Sequence, residues 1–294
     1  MAEGPTTRRR QMAAELRRLR DLAGMNLEDA GRAVGVSRAT VNRYEALEPG
    51  KSSYGVKWPI VDALCRTYGA TDAEREAVVS LAKDSKVQGW WKTQSDVVPE
   101  HITPLLVLED EAAEELHWAN TYVPGLLQTR AYATAVIEAT ETRAEPDDIK
   151  RMVDVRLRRQ EVLKRQPPMH VWAILDEAVL RRTVGGPAVM AEQLAHLVTS
   201  GRTANIDVQV LPFEAGAHAA ESTAFMVVRG AEPSLDVVHT SNLTGALYLE
   251  KPADLERHRI VFEYLRSQAL DTSRSSVMIA AISAEYAARA SRKE

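Results

Sequence analysis

The chain has 294 residues, 45% hydrophobic and 27% charged, with a net charge of −4, enough apolar mass for a sizeable core and, by length, about two domains. Its longest apolar runs, 102–108 and 277–282, fall far short of the roughly 20 residues a membrane span needs, and the start MAEGPTTRRR has no apolar stretch behind it. The single cysteine, Cys65, allows no internal disulfide, so a cytoplasmic protein with no membrane partner is expected.

The charge is unevenly divided. Residues 1–70 carry twelve Lys or Arg against eight Asp or Glu, a net +4, which leaves −8 on the remainder. A basic head on an acidic body predicts that the head meets a polyanion and the body does not.

From residue 8 to 23 the apolar residues Met12, Leu16, Leu19 and Leu22 recur at helical spacing, and Gly24 follows as a C-cap. Asn26 then caps a short helix over 27–34 that Gly35 closes, and Ser37 starts a third helix through Leu47. Two short helices joined by the turn VGVS, with Ala30 and Val34 facing Val41, make a helix-turn-helix. Gly35 sits where the chain reverses and positive φ is needed.

In that motif the second helix enters the major groove with its N-terminal residues at base edges. Val41 and Tyr44 face inward, which leaves Arg38, Ala39, Thr40, Asn42 and Arg43 as the base-contacting candidates. Arg can bond guanine twice, Asn adenine twice, and Ala or a Thr methyl can touch thymine. Asn26 and Ser37 at the helix starts, with Lys51, Ser52, Ser53 and Lys57 in the loop EPGKSSYGVKW, are the phosphate candidates. The plainer alternatives are a solvated helix face and an ordinary surface loop.

The stretch LRRLRDLAGMNLEDAGRAVGVSRATVNRYE resembles the Xre-type, phage-repressor-like helix-turn-helix. The resemblance covers about residues 8–82 and implies an all-α, five-helix, lambda-repressor-like domain that binds double-stranded DNA, with 58–68 and 72–81 as helices four and five. Many members carry a phosphate-bonding Gln at the first turn of helix two, where this chain has Leu27, and the loop after helix three is long for the family.

The expected organisation is a DNA-binding head over 1–82, a linker or docking segment over 83–104 holding Trp90 and Trp91, and a body over 105–294. In the body, helices are predicted at 105–120, 124–139 and 147–165. Strands follow at 170–176, 206–212, 224–230, 235–240 and 246–250, rich in Val, Ile and aromatics. A helix over 187–200 separates the first two, and helices over 253–269 and 276–289 close the chain. The pattern predicts an α+β domain with a mostly antiparallel sheet.

Several body motifs carry chemistry-bearing side chains. EDEAAEELHW (109–118) has ligand types for a metal, yet on a helix Glu111, Glu114 and Glu115 would form a solvated acidic face. RLRRQEVLKRQ (156–166) is basic enough to touch nucleic acid, and reads more plainly as a helix whose basic face meets those carboxylates or solvent. Gly185–Gly186 could seat an anion at a helix start, or simply make a strand-to-helix turn. His218, Glu221, His239 and Glu250 lie near strand ends without a nucleophile elbow or zinc-protease pattern. No metal, cofactor or enzymatic activity is expected, and Cys65 reads as a buried structural thiol.

The body segments VPGLLQTRAYA, RLRRQEVL, LDEAVLRRTVGG and QVLPFEAGAH together resemble the C-terminal domain of WhiJ-like regulators of actinobacteria, over roughly residues 100–285. Similar proteins tend to have an aromatic and then an acidic residue where this chain has VVHTSN (237–242). The resemblance implies a transcriptional regulator, of development or secondary metabolism, often paired with a small partner protein encoded nearby. The expectation is a homodimer on a two-fold operator, controlled through the body by a small molecule or that partner. The alternatives are an antitoxin-like or scaffolding protein with weak DNA binding, and a DNA-targeted enzyme.

Overall fold

The structure is a computed structural model that describes residues 7–45, 57–84, 97, 102–220, 223–230, 236–243 and 245–292. The described residues up to 84, with 102–108, form one compact unit, and residue 97 with 109–292 forms a second. Trp90, Trp91 and Glu221 lie outside the described residues, as does most of the expected linker.

The first unit is five helices, α1 (Thr7–Leu22), α2 (Leu27–Val34), α3 (Arg38–Glu45), α4 (Trp58–Thr67) and α5 (Asp72–Asp84). Met12, Leu16, Leu19, Ala30, Val41, Tyr44, Val61, Leu64 and Val78 form its core, with Leu27 and Val34 packed against it. Leu27 thus supports the core. Cys65 is buried in the same core, and burial pushes its thiol up to about 11, the mark of an unreactive side chain.

α6 (Thr103–Glu111) follows, and its last turn belongs to the second unit. That unit then runs β1 (Glu114–Ala119), α7 (Arg130–Thr140), α8 (Pro146–Arg159), β2 (His170–Asp176), α9 (Glu177–Arg181), α10 (Pro187–Ser200), β3 (Ile206–Leu211), β4 (Phe225–Arg229), β5 (Val237–Asn242), β6 (Gly245–Leu249), α11 (Pro252–Gln268) and α12 (Thr272–Ser291).

The six strands lie in the order β3-β2-β1-β4-β5-β6. β1, β2 and β3 are parallel, while β4, β5 and β6 run antiparallel from β1 outward. The sheet is therefore mixed, which corrects the mostly antiparallel expectation. The cause is β1, whose sequence EELHWA was read as the end of a helix over 105–120. Placed as a strand, it makes α7–α8 and α9–α10 the helical crossovers that parallel neighbours require.

Leu116 and Trp118 of β1, with Ile174, Val227 and Val238, face α11, where Leu255, Phe262 and Leu265 cover them. Strand alternation sends Glu115 and His117 to the opposite face, so the predicted acidic helix face does not exist. Both are buried, with Glu115 Oε2 2.8 Å from His117 Nε2. On the sheet, His170 of β2 joins Glu114 of β1 at 3.0 Å and Asp207 of β3 at 2.9 Å.

The basic run at 156–166 is where the acidic run finds its partners. Arg159 Nε donates to buried Glu109 at 2.7 Å, and a second guanidinium N–H completes the fork. Arg165 donates to the carbonyls of Asp110 and Ala112, satisfying acceptors left open at the end of α6. Burial pushes the Glu109 carboxyl up to about 7 against the pull of the Arg159 charge. Burial opposes the Arg159 charge as well, but Glu109 holds that guanidinium above its usual value.

Candidate nucleic-acid interface

The polar face of α3 is exposed beyond a turn shaped by local caps and glycines. The Asn26 side chain accepts from the Glu28 and Asp29 amides at 2.9 and 2.8 Å and starts α2. Gly35 ends α2 at φ 72°, the left-handed conformation glycine adopts most easily. One turn earlier, Gly31 lets the chain pass: a Cβ there would stand 2.7 Å from the Val36 carbonyl oxygen. Glycine inside a helix costs propensity, and here it permits the contact between α2 and the turn.

Ser37 then caps α3. Its Oγ accepts from the Thr40 amide at 3.2 Å and lies 3.0 Å from the Thr40 hydroxyl. Val41 and Tyr44 are buried, and the Tyr44 hydroxyl accepts from the Lys57 amide at 3.1 Å, tying α3 to the start of α4.

Of the five base-contacting candidates, Arg38, Ala39 and Asn42 are exposed on one side of α3. Thr40 and Arg43 are half-buried. Thr40 is engaged with the Ser37 cap, and the Arg43 guanidinium lies over the Tyr44 ring at 5.8 Å.

Among the phosphate candidates, Asn26 and Ser37 are exposed but serve as helix caps, and Lys57 is exposed. Lys51, Ser52 and Ser53 lie outside the described residues. The N-terminus of α2 carries exposed Glu28 and Asp29, which favour the helix dipole but repel a phosphate.

The basic excess of the head is partly internal. Arg17 donates to the Glu45 carbonyl, Arg20 to the Glu45 carboxylate, Arg18 to Glu15 and Glu74, and Arg66 to Asp62. Sequence reasoning missed the role of Glu45, which is 1% exposed and also accepts from the Tyr68 hydroxyl at 3.0 Å. The Arg-Tyr-Glu ending of α3 is the signal that could have found it.

The body motifs resolve differently. Gly185 and Gly186 form a helix-to-helix turn between α9 and α10, not the expected strand-to-helix turn. Gly185 approaches Ala135 and Val189 closely, and Pro187 leaves the first turn of α10 one amide poorer for an anion. His218 Nε2 stands 4.0 Å from Asp176, and the ring of His239 lies 5.0 Å from that of Tyr248. Among the described residues, no group of three or more His, Cys, Asp or Glu is placed to hold a metal ion, and no helix is long and apolar enough to cross a membrane.

Residues 11–78 match a family model described as a helix-turn-helix domain, which makes DNA the partner of this unit and regulation its class. Neither the curated proteins nor the solved structures give a match. Residues 102–281, more than half of the chain, match a second model, and the chain therefore belongs to the family of the domain of unknown function DUF5753.

Proposed function

We propose that the chain is a cytoplasmic, sequence-specific transcriptional regulator that reads a two-fold operator as a homodimer, with α3 in the major groove. The observation that carries this reading is the exposed trio Arg38, Ala39 and Asn42 on a helix whose other side is clamped by Val41, Tyr44 and the Gly31 turn. The three side chains are of types that distinguish guanine, thymine and adenine. In this reading the DUF5753 body is not a catalyst. It receives a small molecule or a small partner protein, as the likeness to WhiJ-like regulators of actinobacteria implies, and the regulated process is development or secondary metabolism.

Selection of bound sequences from random duplex DNA by the purified chain tests the proposal. Enrichment of a two-fold site supports it, and no enrichment overturns it. A second reading, an antitoxin-like or scaffolding protein with weak DNA binding, draws on Glu28 and Asp29 at the start of α2 and on Leu27 in the core. These remove the phosphate contact that helix two would otherwise make, and failed enrichment would favour this reading.

A further inference from the structure

Among the described residues, none covers the outer face of α11. Ile260 is 47% and Tyr264 60% exposed, although both lie on a helix whose other side is buried against the sheet. With Glu256, Arg259, Glu263 and Ser267 they line an open groove of about 370 Å³. The stripe is short, and charges of alternating sign run along one side of it.

The charge order along α11 is Glu256, Arg259, Glu263, Arg266. A two-fold axis beside residue 261 would bring a second α11 across the first in the antiparallel sense. Glu256 then faces the partner's Arg266, and Arg259 faces the partner's Glu263, each twice, with Ile260 and Tyr264 alongside them. Parallel pairing in register would instead set Glu256 on Glu256 and Arg266 on Arg266, which is repulsive. The cations are held in place: Arg259 by Asp236, and Arg266 by Glu263 at 3.3 Å and by the Trp172 ring at 4.8 Å.

We infer that this face is the homodimer interface, α11 packing antiparallel on α11 of a second copy. The inference rests on the dimeric regulator proposed above and supplies its contact surface. Ile260 and Tyr264 provide the apolar burial, as central residues of an interface do. The exposed ion pairs add little affinity and set the register.

Sedimentation equilibrium of the full chain tests it. A reversible, concentration-dependent dimer is expected, and Ile260→Arg should weaken it at least tenfold. Glu256→Arg and Arg266→Glu should each weaken self-association, and mixing those two variants should restore a heterodimer, because each bad pair is then replaced by a good one. A chain that stays monomeric up to several hundred micromolar, a dimer indifferent to Ile260→Arg, or a mixture that does not pair overturns the inference. A monomer that still selects a DNA site would overturn the homodimer and leave only its DNA reading standing, whereas a dimer without DNA selection would overturn the regulator alone.

Discussion

Arg20 of α1 donates from Nε to the Glu45 carboxylate at the end of α3 at 2.8 Å, and the Glu45 side chain is only 1% exposed. Arg20 also reaches the Met25 carbonyl at 2.8 Å, so one guanidinium fixes α1, the α1–α2 turn and the base of α3. Burial works against its charge, but the Glu45 carboxylate outweighs that and holds it above its usual value. Tyr68 joins from the other side, its hydroxyl pushed up by burial and by the Glu45 charge. The helix proposed to read DNA is thus positioned by an ion pair at its far end.

Removing Arg20 leaves that carboxylate buried without a cation. Arg20→Met should destabilise the first unit by about 3–5 kcal/mol. Hydrogen exchange of the α1–α5 amides would show the loss, with the second unit unchanged. A variant with undiminished protection would mean that Glu45 is satisfied in another way.

Gly31→Ala places a methyl 2.7 Å from the Val36 carbonyl oxygen, a backbone atom with no rotamer to give way. Overpacking of this kind costs roughly 1–3 kcal/mol, against a helix-propensity gain of about 1 kcal/mol. A net loss is expected, located by hydrogen exchange at α2 and the start of α3. A variant as stable as the parent would show that the turn can widen freely.

The legible and illegible parts of the sequence differ for physical reasons. α2 was readable to its ends because Asn26, Gly35 and Ser37 act on their immediate neighbours, and local chemistry is visible in a local string. β1 was hidden because Glu114 bonds Arg229 and His170, partners that the string does not place nearby, and because Glu115 and His117 share one face only once the segment is a strand. One missed central strand also hid both parallel crossovers. At the interface, polarity marked Thr40 and Arg43 as base-contacting candidates but did not reveal that the Thr40 hydroxyl meets the Ser37 cap and that the Arg43 guanidinium lies over the Tyr44 ring.

Arg38 of α3 and Lys57 at the start of α4 should separate base reading from phosphate holding. Arg38→Ala should cost about 1–3 kcal/mol on the selected site and relax preference at one position. Lys57→Ala should weaken all duplexes alike and reduce the salt slope by about one. Binding titrations on cognate and scrambled duplexes at several salt concentrations would check both. An Arg38→Ala variant with full preference would reject the placement of α3, and an unchanged slope would reject the role of Lys57.

In the body, Arg159→Leu should make stability strongly pH-dependent. Glu109 already sits at about 7, raised by burial against the Arg159 charge, and loss of that charge raises it further. A carboxyl whose folded pKa lies above its unfolded value of about 4.3 holds its proton in the folded state. Its contribution is therefore full below about 4.3 and is lost as pH rises through the folded pKa. The Arg159→Leu deficit should be small, about 1 kcal/mol, near pH 5 and grow toward about 3–5 kcal/mol near pH 8, where the carboxyl must ionise or resist ionising in the core. Adding Glu109→Gln should remove most of the growth with pH, because the amide does not titrate. Hydrogen exchange of the second-unit amides at both pH values would decide it. A deficit of equal size at pH 5 and pH 8 would show that Glu109 carries no proton in the folded chain and that Arg159 acts there only through its packing.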